Sequence, residues 1–117
     1  MIIDLSYLRE MSGGNKDLIL EMITIFKNQT LEFGSEMDQL LQSKQYELLG
    51  KLAHKAKSSV SIMGMEKLAS QLKELELAAK DGIKTESYGA IVDDFKRDTA
   101  TAVKELDLVV ENLDIYF

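Results

Sequence analysis

The chain has no cysteine, no proline and no tryptophan, and a single histidine among its 117 residues. Without cysteine there is no disulfide, no thiol nucleophile, no zinc finger and no iron–sulfur cluster, a usage compatible with a reducing compartment. With no proline and only four tyrosines and four phenylalanines, neither a loop-rich fold nor a β-sandwich is indicated. No apolar run approaches the length of about 20 residues that spans a bilayer. Met1-Ile2-Ile3-Asp4 lacks the basic-then-apolar pattern of a signal peptide. A soluble, cytoplasmic protein with no membrane contact is expected. Twenty acids against fourteen bases give a net charge of −6 and a pI near 4.8, so no nucleic-acid partner is expected either. One histidine and no Glu-x-x-His pair leave no ligand set for a metal-dependent helical enzyme. There is also no Gly-rich phosphate loop followed by lysine, hence no nucleotide fingerprint.

What is present is a globular balance, 45% hydrophobic and 29% charged. Area scaling gives an unfolded surface of roughly 19,000 Å² and a folded one of roughly 6,400 Å², enough burial for one domain over residues 1–117. Breakers divide the chain. Ser12-Gly13-Gly14-Asn15 forms the first loop, with Asn15 as an N-cap. Gln42-Ser43-Lys44 is a second interruption, Gly64 a third, and Asp81-Gly82-Ile83-Lys84-Thr85 the last. Gly82 there suits a left-handed helix end and Thr85 a new N-cap. Between these points the apolar period is helical throughout.

Helices are therefore predicted over Asp4 to Met11, Lys16 to Leu41, Gln45 to Met63, Met65 to Lys80 and Glu86 to Leu113. In the second, the stripe weakens near Lys27 to Thr30 and Gly34, where a bend is allowed. Four amphipathic helices on short connections imply an all-α, antiparallel up-down four-helix bundle, with the short additional N-terminal helix capping one end.

The third predicted helix carries the histidine. On a wheel of 100° per residue, Leu49, Leu52, Ala53, Ala56, Val60 and Met63 define the core face, and His54 lies about 140° from Leu49. Its outer-face neighbours are Gly50, Lys57, Ser58 and Ser61. A glycine and serines are costly inside a helix, where Ala or Glu would serve better. Small side chains around the imidazole would give steric access, and Lys57 one turn along would set an ammonium beside any anion at the ring. Accessible imidazole with a fixed cation is what phosphoryl acceptance at nitrogen needs. The bland alternative is an incidental surface histidine.

The string Ala53-His54-Lys55-Ala56-Lys57-Ser58-Ser59-Val60-Ser61-Ile62-Met63-Gly64 resembles the active segment of histidine-containing phosphotransfer (HPt) domains. Ala53, His54, Lys57, Ser59 and Gly64 fit that pattern. Leu5-Ser6-Tyr7-Leu8, Gly13-Gly14, Phe26, Leu68, Leu72, Leu75 and Glu76 are similar to further family features. Ser58 departs from it, standing where the family usually has glycine; its hydroxyl is free to bond Lys57, the imidazole or the His54 carbonyl. The resemblance implies a phosphorelay intermediate of two-component signalling. His54 would accept a phosphoryl group at Nε2 from a receiver-domain aspartate and pass it to another receiver, with Lys57 steadying the phosphoryl oxygens. Gly50, Ser58 and Ser61 would keep the approach open, and Gly64 belongs to the same segment. The implied partners are response-regulator receiver domains and a hybrid histidine kinase. The chain would need no cofactor of its own, because Mg²⁺ is expected in the partner receiver, and it would have no nucleotide-dependent kinase activity. A monomer is expected by the same analogy. The competing reading is a helical-bundle interaction module that binds receiver or kinase domains without being phosphorylated.

The other features have plainer readings. Lys51 and Lys55 flank the histidine face and either steer an acidic partner or only solubilise. Met11, Met63 and Met65 sit near helix ends, where one would serve a docking patch. Asp93-Asp94 point about 100° apart on a helix, which argues against a shared metal ion. Glu76 approaches the active face from the next helix. Its charge opposes phosphate, so it is expected to contact a partner or to be structural.

Overall fold

Asn15 caps the longest helix of the computed structural model, which describes all 117 residues. Its side-chain oxygen accepts the Leu18 N–H at 3.1 Å, satisfying a donor that the first turn leaves free. That helix, α2, runs Lys16–Gln42, after a short α1 over Ser6–Ser12. Three further long helices follow, α3 (Tyr46–Ile62), α4 (Glu66–Asp81) and α5 (Tyr88–Glu111), and a final turn, α6, covers Leu113–Tyr116. There is no strand. Short connections make neighbours antiparallel, and α2, α3, α4 and α5 close a ring in which α5 packs back on α2. The expected four-helix bundle is present, and its most extensive pairing is α3 on α4.

Twenty-five buried hydrophobic residues form one core cluster. Ile19, Ile23 and Met37 come from α2, Leu49, Ala53 and Val60 from α3, Leu72 and Leu75 from α4, and Val92, Phe95 and Leu106 from α5. Full burial of such side chains stabilises by about 1.5–3 kcal/mol each before entropy is charged. The folded surface is 6,852 Å², close to the area-scaling expectation. The bundle is a rod of 46 × 20 × 20 Å.

At a rise of 1.5 Å per residue, the 27 residues of α2 reach about 40 Å and the 17 of α3 about 25 Å. The longer helices therefore overhang the α3–α4 turn, and the N-terminal segment occupies that overhang. Asp4 N–H donates to the Met63 carbonyl at 2.9 Å. Glu105 of α5 accepts the N–H groups of Ile2 and Ile3, and Leu8 is completely buried. Arg9 donates to the Tyr116 carbonyl at 2.8 Å and covers the Phe117 ring, which ties α6 to α1.

Several local expectations need correction. Thr85 is no N-cap: Lys84 takes a left-handed conformation, a 3-10 turn follows, and α5 begins at Tyr88. Tyr88 is buried and donates its hydroxyl to the Ile83 carbonyl at 2.5 Å. That anchor sets the helix start, while Thr85 only opens the preceding 3-10 turn. Leu18, whose spacing from Met22 matches the apolar stripe of α2, is nonetheless 37% exposed. α2 is one continuous helix through Gly34, where a Cβ would lie 3.2 Å from Lys96 Cγ; the glycine allows α5 to approach closely. Met63 and Met65 are buried and cannot form a docking patch, whereas Met11 is half exposed.

Candidate functional site

His54 stands at the midpoint of α3 with its side chain 63% exposed. The wheel placed it on the outer face because Ala53 and Ala56 turn fully inward. Its Nδ1 lies 2.9 Å from Oε2 of Glu76 on α4. A carboxylate oxygen only accepts, so its approach favours the proton on Nδ1. In the neutral ring the other nitrogen, Nε2, then keeps its lone pair.

Glu76 has a second partner. Lys57 donates from Nζ to Oε1 at 3.3 Å, and both side chains are about three-quarters buried. One carboxylate thus binds the imidazole with one oxygen and the ammonium with the other. Burial pushes the Glu76 carboxyl up, but hydrogen bonds from His54 and Lys57 and their charges outweigh it, leaving the pKa below the ordinary 4.5.

The antiparallel hairpin makes this meeting possible. His54 lies ten residues before Gly64 and Glu76 twelve after it, so the two stand nearly level on facing helices. Glu76 also follows Leu75, a core residue, and so sits at the edge of the helix contact. Its expected antagonism to phosphate overlooked the nitrogen it would meet first. Near-equal spacing about the turn was the available signal.

Gly50 is placed differently from expectation. It is buried, and a Cβ there would lie 3.1 Å from Ala79 Cβ and 3.3 Å from the Glu76 carbonyl. Its smallness lets α3 and α4 approach closely, and its place beside the histidine is the floor of a groove. That groove, about 490 Å³, is lined by Gly50, Lys51, His54, Lys55, Glu76 and Lys80 among others. Lys51 is well exposed, at ion-pair distance from Glu47, and Lys55 is exposed.

A second groove of about 730 Å³ opens on the other side of Lys57, where Ser58, Ser61 and Gly64 join Tyr7 and Lys73. Ser58 is exposed. Ser58 bonds neither Lys57, the imidazole nor the His54 carbonyl, whereas the Ser61 hydroxyl donates to the Lys57 carbonyl at 2.8 Å. Gly64 ends the helix at φ +70°, and a Cβ there would lie 2.5 Å from Asp4 Cβ and 2.6 Å from the Asp4 carbonyl. It is the crossing point of the N-terminal segment, well removed from the imidazole. Between α2 and α3 a smaller apolar hollow, about 270 Å³, is lined by Met22, Ile25, Phe26 and Ile62 among others.

Asp94 accepts from Gln71 and pairs with Arg97, while Asp93 lies near Lys96. The adjacent acids diverge, as their helical spacing required. No group of three or more His, Asp or Glu side chains converges as a metal site would demand, and no helix is long and apolar enough to cross a membrane.

The exposed imidazole lies against the Glu76 carboxylate, with the Lys57 ammonium one turn away on an up-down helical bundle. The model of the Hpt domain family matches residues 21–114. The chain belongs to the Hpt family. Hpt domains serve histidine phosphotransfer in phosphorelays and interact with receiver domains and kinases. The match covers α3, α4 and α5 in full and α2 from Glu21 onward. No curated protein and no solved structure matches this Hpt chain.

Proposed function

We propose that this Hpt domain is a phosphocarrier that accepts a phosphoryl group on His54 from the aspartyl phosphate of one receiver domain and delivers it to the aspartate of another. The observation that supports the reading is the His54–Glu76 contact, which favours the imidazole proton on Nδ1 and so a nucleophilic Nε2.

In the forward step the Nε2 lone pair attacks phosphorus. An N–P bond forms, the acyl O–P bond breaks, and the receiver carboxylate leaves with the electron pair. Nε2 carries no proton, so none has to be removed. The ring gains positive charge while keeping Nδ1–H, and the Glu76 carboxylate offsets that charge. Lys57 is near enough to exchange its Glu76 oxygen for a phosphoryl oxygen. The reverse sequence loads the second receiver. On this reading the Mg²⁺ sits in the receiver, and Lys57 is the cation the carrier supplies to the phosphoryl oxygens. The apolar hollow between α2 and α3 offers a partner burial area beside the polar site.

The test is transfer from a labelled, phosphorylated receiver with Mg²⁺, comparing wild type with His54→Gln. Acid-labile, base-stable label on wild type alone is the expected result. If receivers bind both chains equally and no label moves, the chain is a binding module and the carrier reading is wrong.

A further inference from the structure

The net charge of −6 hides a sharp division. From Lys44 to Lys84, which spans α3 and α4, there are eight lysines and five carboxylates. The rest of the chain holds six basic and fifteen acidic residues. Ion pairing deepens the contrast. Of the eight lysines only Lys51 and Lys57 pair with a carboxylate, so six unpaired lysines stand against the unpaired Glu66, Glu74 and Asp81, a positive surplus of three. Outside the hairpin, Lys16, Lys27, Lys96 and Arg97 are all paired, and the surplus is negative. Three of the unpaired lysines also border the site. Lys55 and Lys80 line the groove containing His54, and Lys73 lines the groove beyond Lys57. α5 packs on α2 and α4 and so stands diagonally across the bundle from α3, giving the acidic side its distance.

We infer that the α3–α4 face is an electrostatic docking surface for an acidic protein surface, and that the acidic remainder of the bundle makes docking fastest at intermediate ionic strength. The inference rests on the phosphocarrier reading only for the identity of the partner, a receiver domain. The ionic-strength optimum follows from dimensions. The rod is 20 Å thick, while screening lengths are about 30 Å at 0.01 M salt, about 8 Å at 0.15 M and about 3 Å at 1 M. In dilute salt an acidic partner feels the lysines and the larger negative charge behind them together, and the net of −6 opposes its approach. Near 0.15 M the far side is screened and the near lysines attract. At 1 M both are silenced. A long nucleic acid is disfavoured as occupant, because it would extend past the lysines onto the acidic flanks.

The experiment measures the association rate of a fluorescently labelled, acidic receiver domain with the intact chain across that salt range, together with label transfer to His54. Wild type should show a maximum, with rates about threefold or more lower at both extremes. Lys55→Gln with Lys80→Gln should remove the high-salt decline, leaving a rate that only rises. Asp93→Asn with Glu111→Gln, both exposed on α5, should raise the dilute-salt rate and leave the 0.15 M rate alone. A monotonic wild-type profile, or variants that follow wild type, overturns the inference. Should no receiver transfer label, the carrier reading fails by itself, and a Glu-rich peptide titrated into the isotopically labelled chain decides the docking surface. Amide shifts on α3 and α4 with the same salt maximum uphold it. Shifts elsewhere, none at all, or tighter binding to duplex DNA of equal charge, overturn it.

Discussion

Glu76 holds His54 Nδ1 at 2.9 Å with one carboxylate oxygen and Lys57 Nζ at 3.3 Å with the other. A single side chain on α4 thereby sets both the tautomer of the ring and the resting place of the cation beside it. Replacing it separates the two effects. Glu76→Ala should leave the imidazole proton shared between nitrogens and slow phosphoryl acceptance about tenfold, equivalent to about 1.4 kcal/mol. Glu76→Gln retains an acceptor for Nδ1–H and should lose less. Nitrogen NMR of the imidazole reads the tautomer directly, and label-transfer rates read the consequence.

Lys57→Met should slow acceptance by about tenfold as well, since one partly buried cation near developing phosphoryl charge contributes on the order of 1–2 kcal/mol. Stability should change little, because the lost ion pair is partly open to solvent. A variant that loads at the wild-type rate would remove Lys57 from the mechanism.

The lowered Glu76 pKa has a defined sign. A carboxyl whose folded value lies below its unfolded value contributes stability that is present above about pH 4.5 and is lost as the pH falls through the folded value. Carbon NMR of the Glu76 carboxyl should show a midpoint below the ordinary glutamate value, and Lys57→Met should move it upward. A midpoint unchanged by that substitution would contradict the bridging geometry.

Gly50→Ala should lower the melting temperature even though alanine is the better helix former by about 1 kcal/mol. Its methyl would meet Ala79 Cβ at 3.1 Å and the Glu76 carbonyl at 3.3 Å, and a backbone carbonyl yields poorly. Overpacking of this kind costs about 1–3 kcal/mol. Because the displaced carbonyl belongs to Glu76, loading of His54 should fall as well.

Lys44 and Lys84 are the two non-glycine residues at positive φ, both +56°, and both lie in connections at the end of the bundle away from α1. An L side chain there costs about 1–2 kcal/mol, part of which glycine returns as backbone entropy. Lys44→Gly and Lys84→Gly should each raise stability by up to about 1 kcal/mol in urea titrations, without touching the histidine.

The helices and the histidine's exposure were legible because apolar spacing reports directly on which face is buried: Leu49, Ala53, Ala56 and Val60 fall where the wheel put them. Helix ends were read less well. Tyr88 starts α5 through a hydroxyl bond to Ile83, a contact that no capping pattern encodes. Gly50 was misread because a wheel shows which way a residue points and not what stands opposite; the neighbour was Ala79, on another helix. Glu76 was seen but its partner was not, since charge alone suggested repulsion of phosphate, and the imidazole nitrogen became visible only once α3 and α4 were paired.

The rod carries its one histidine on one flank, midway along α3, and the rod is only 20 Å across. Two receivers cannot occupy that flank together. On the carrier reading, donor and recipient must therefore take turns, with the loaded chain travelling alone between them. The N–P bond then has to outlive one dissociation and one new encounter, and signal passes only as far as that lifetime allows.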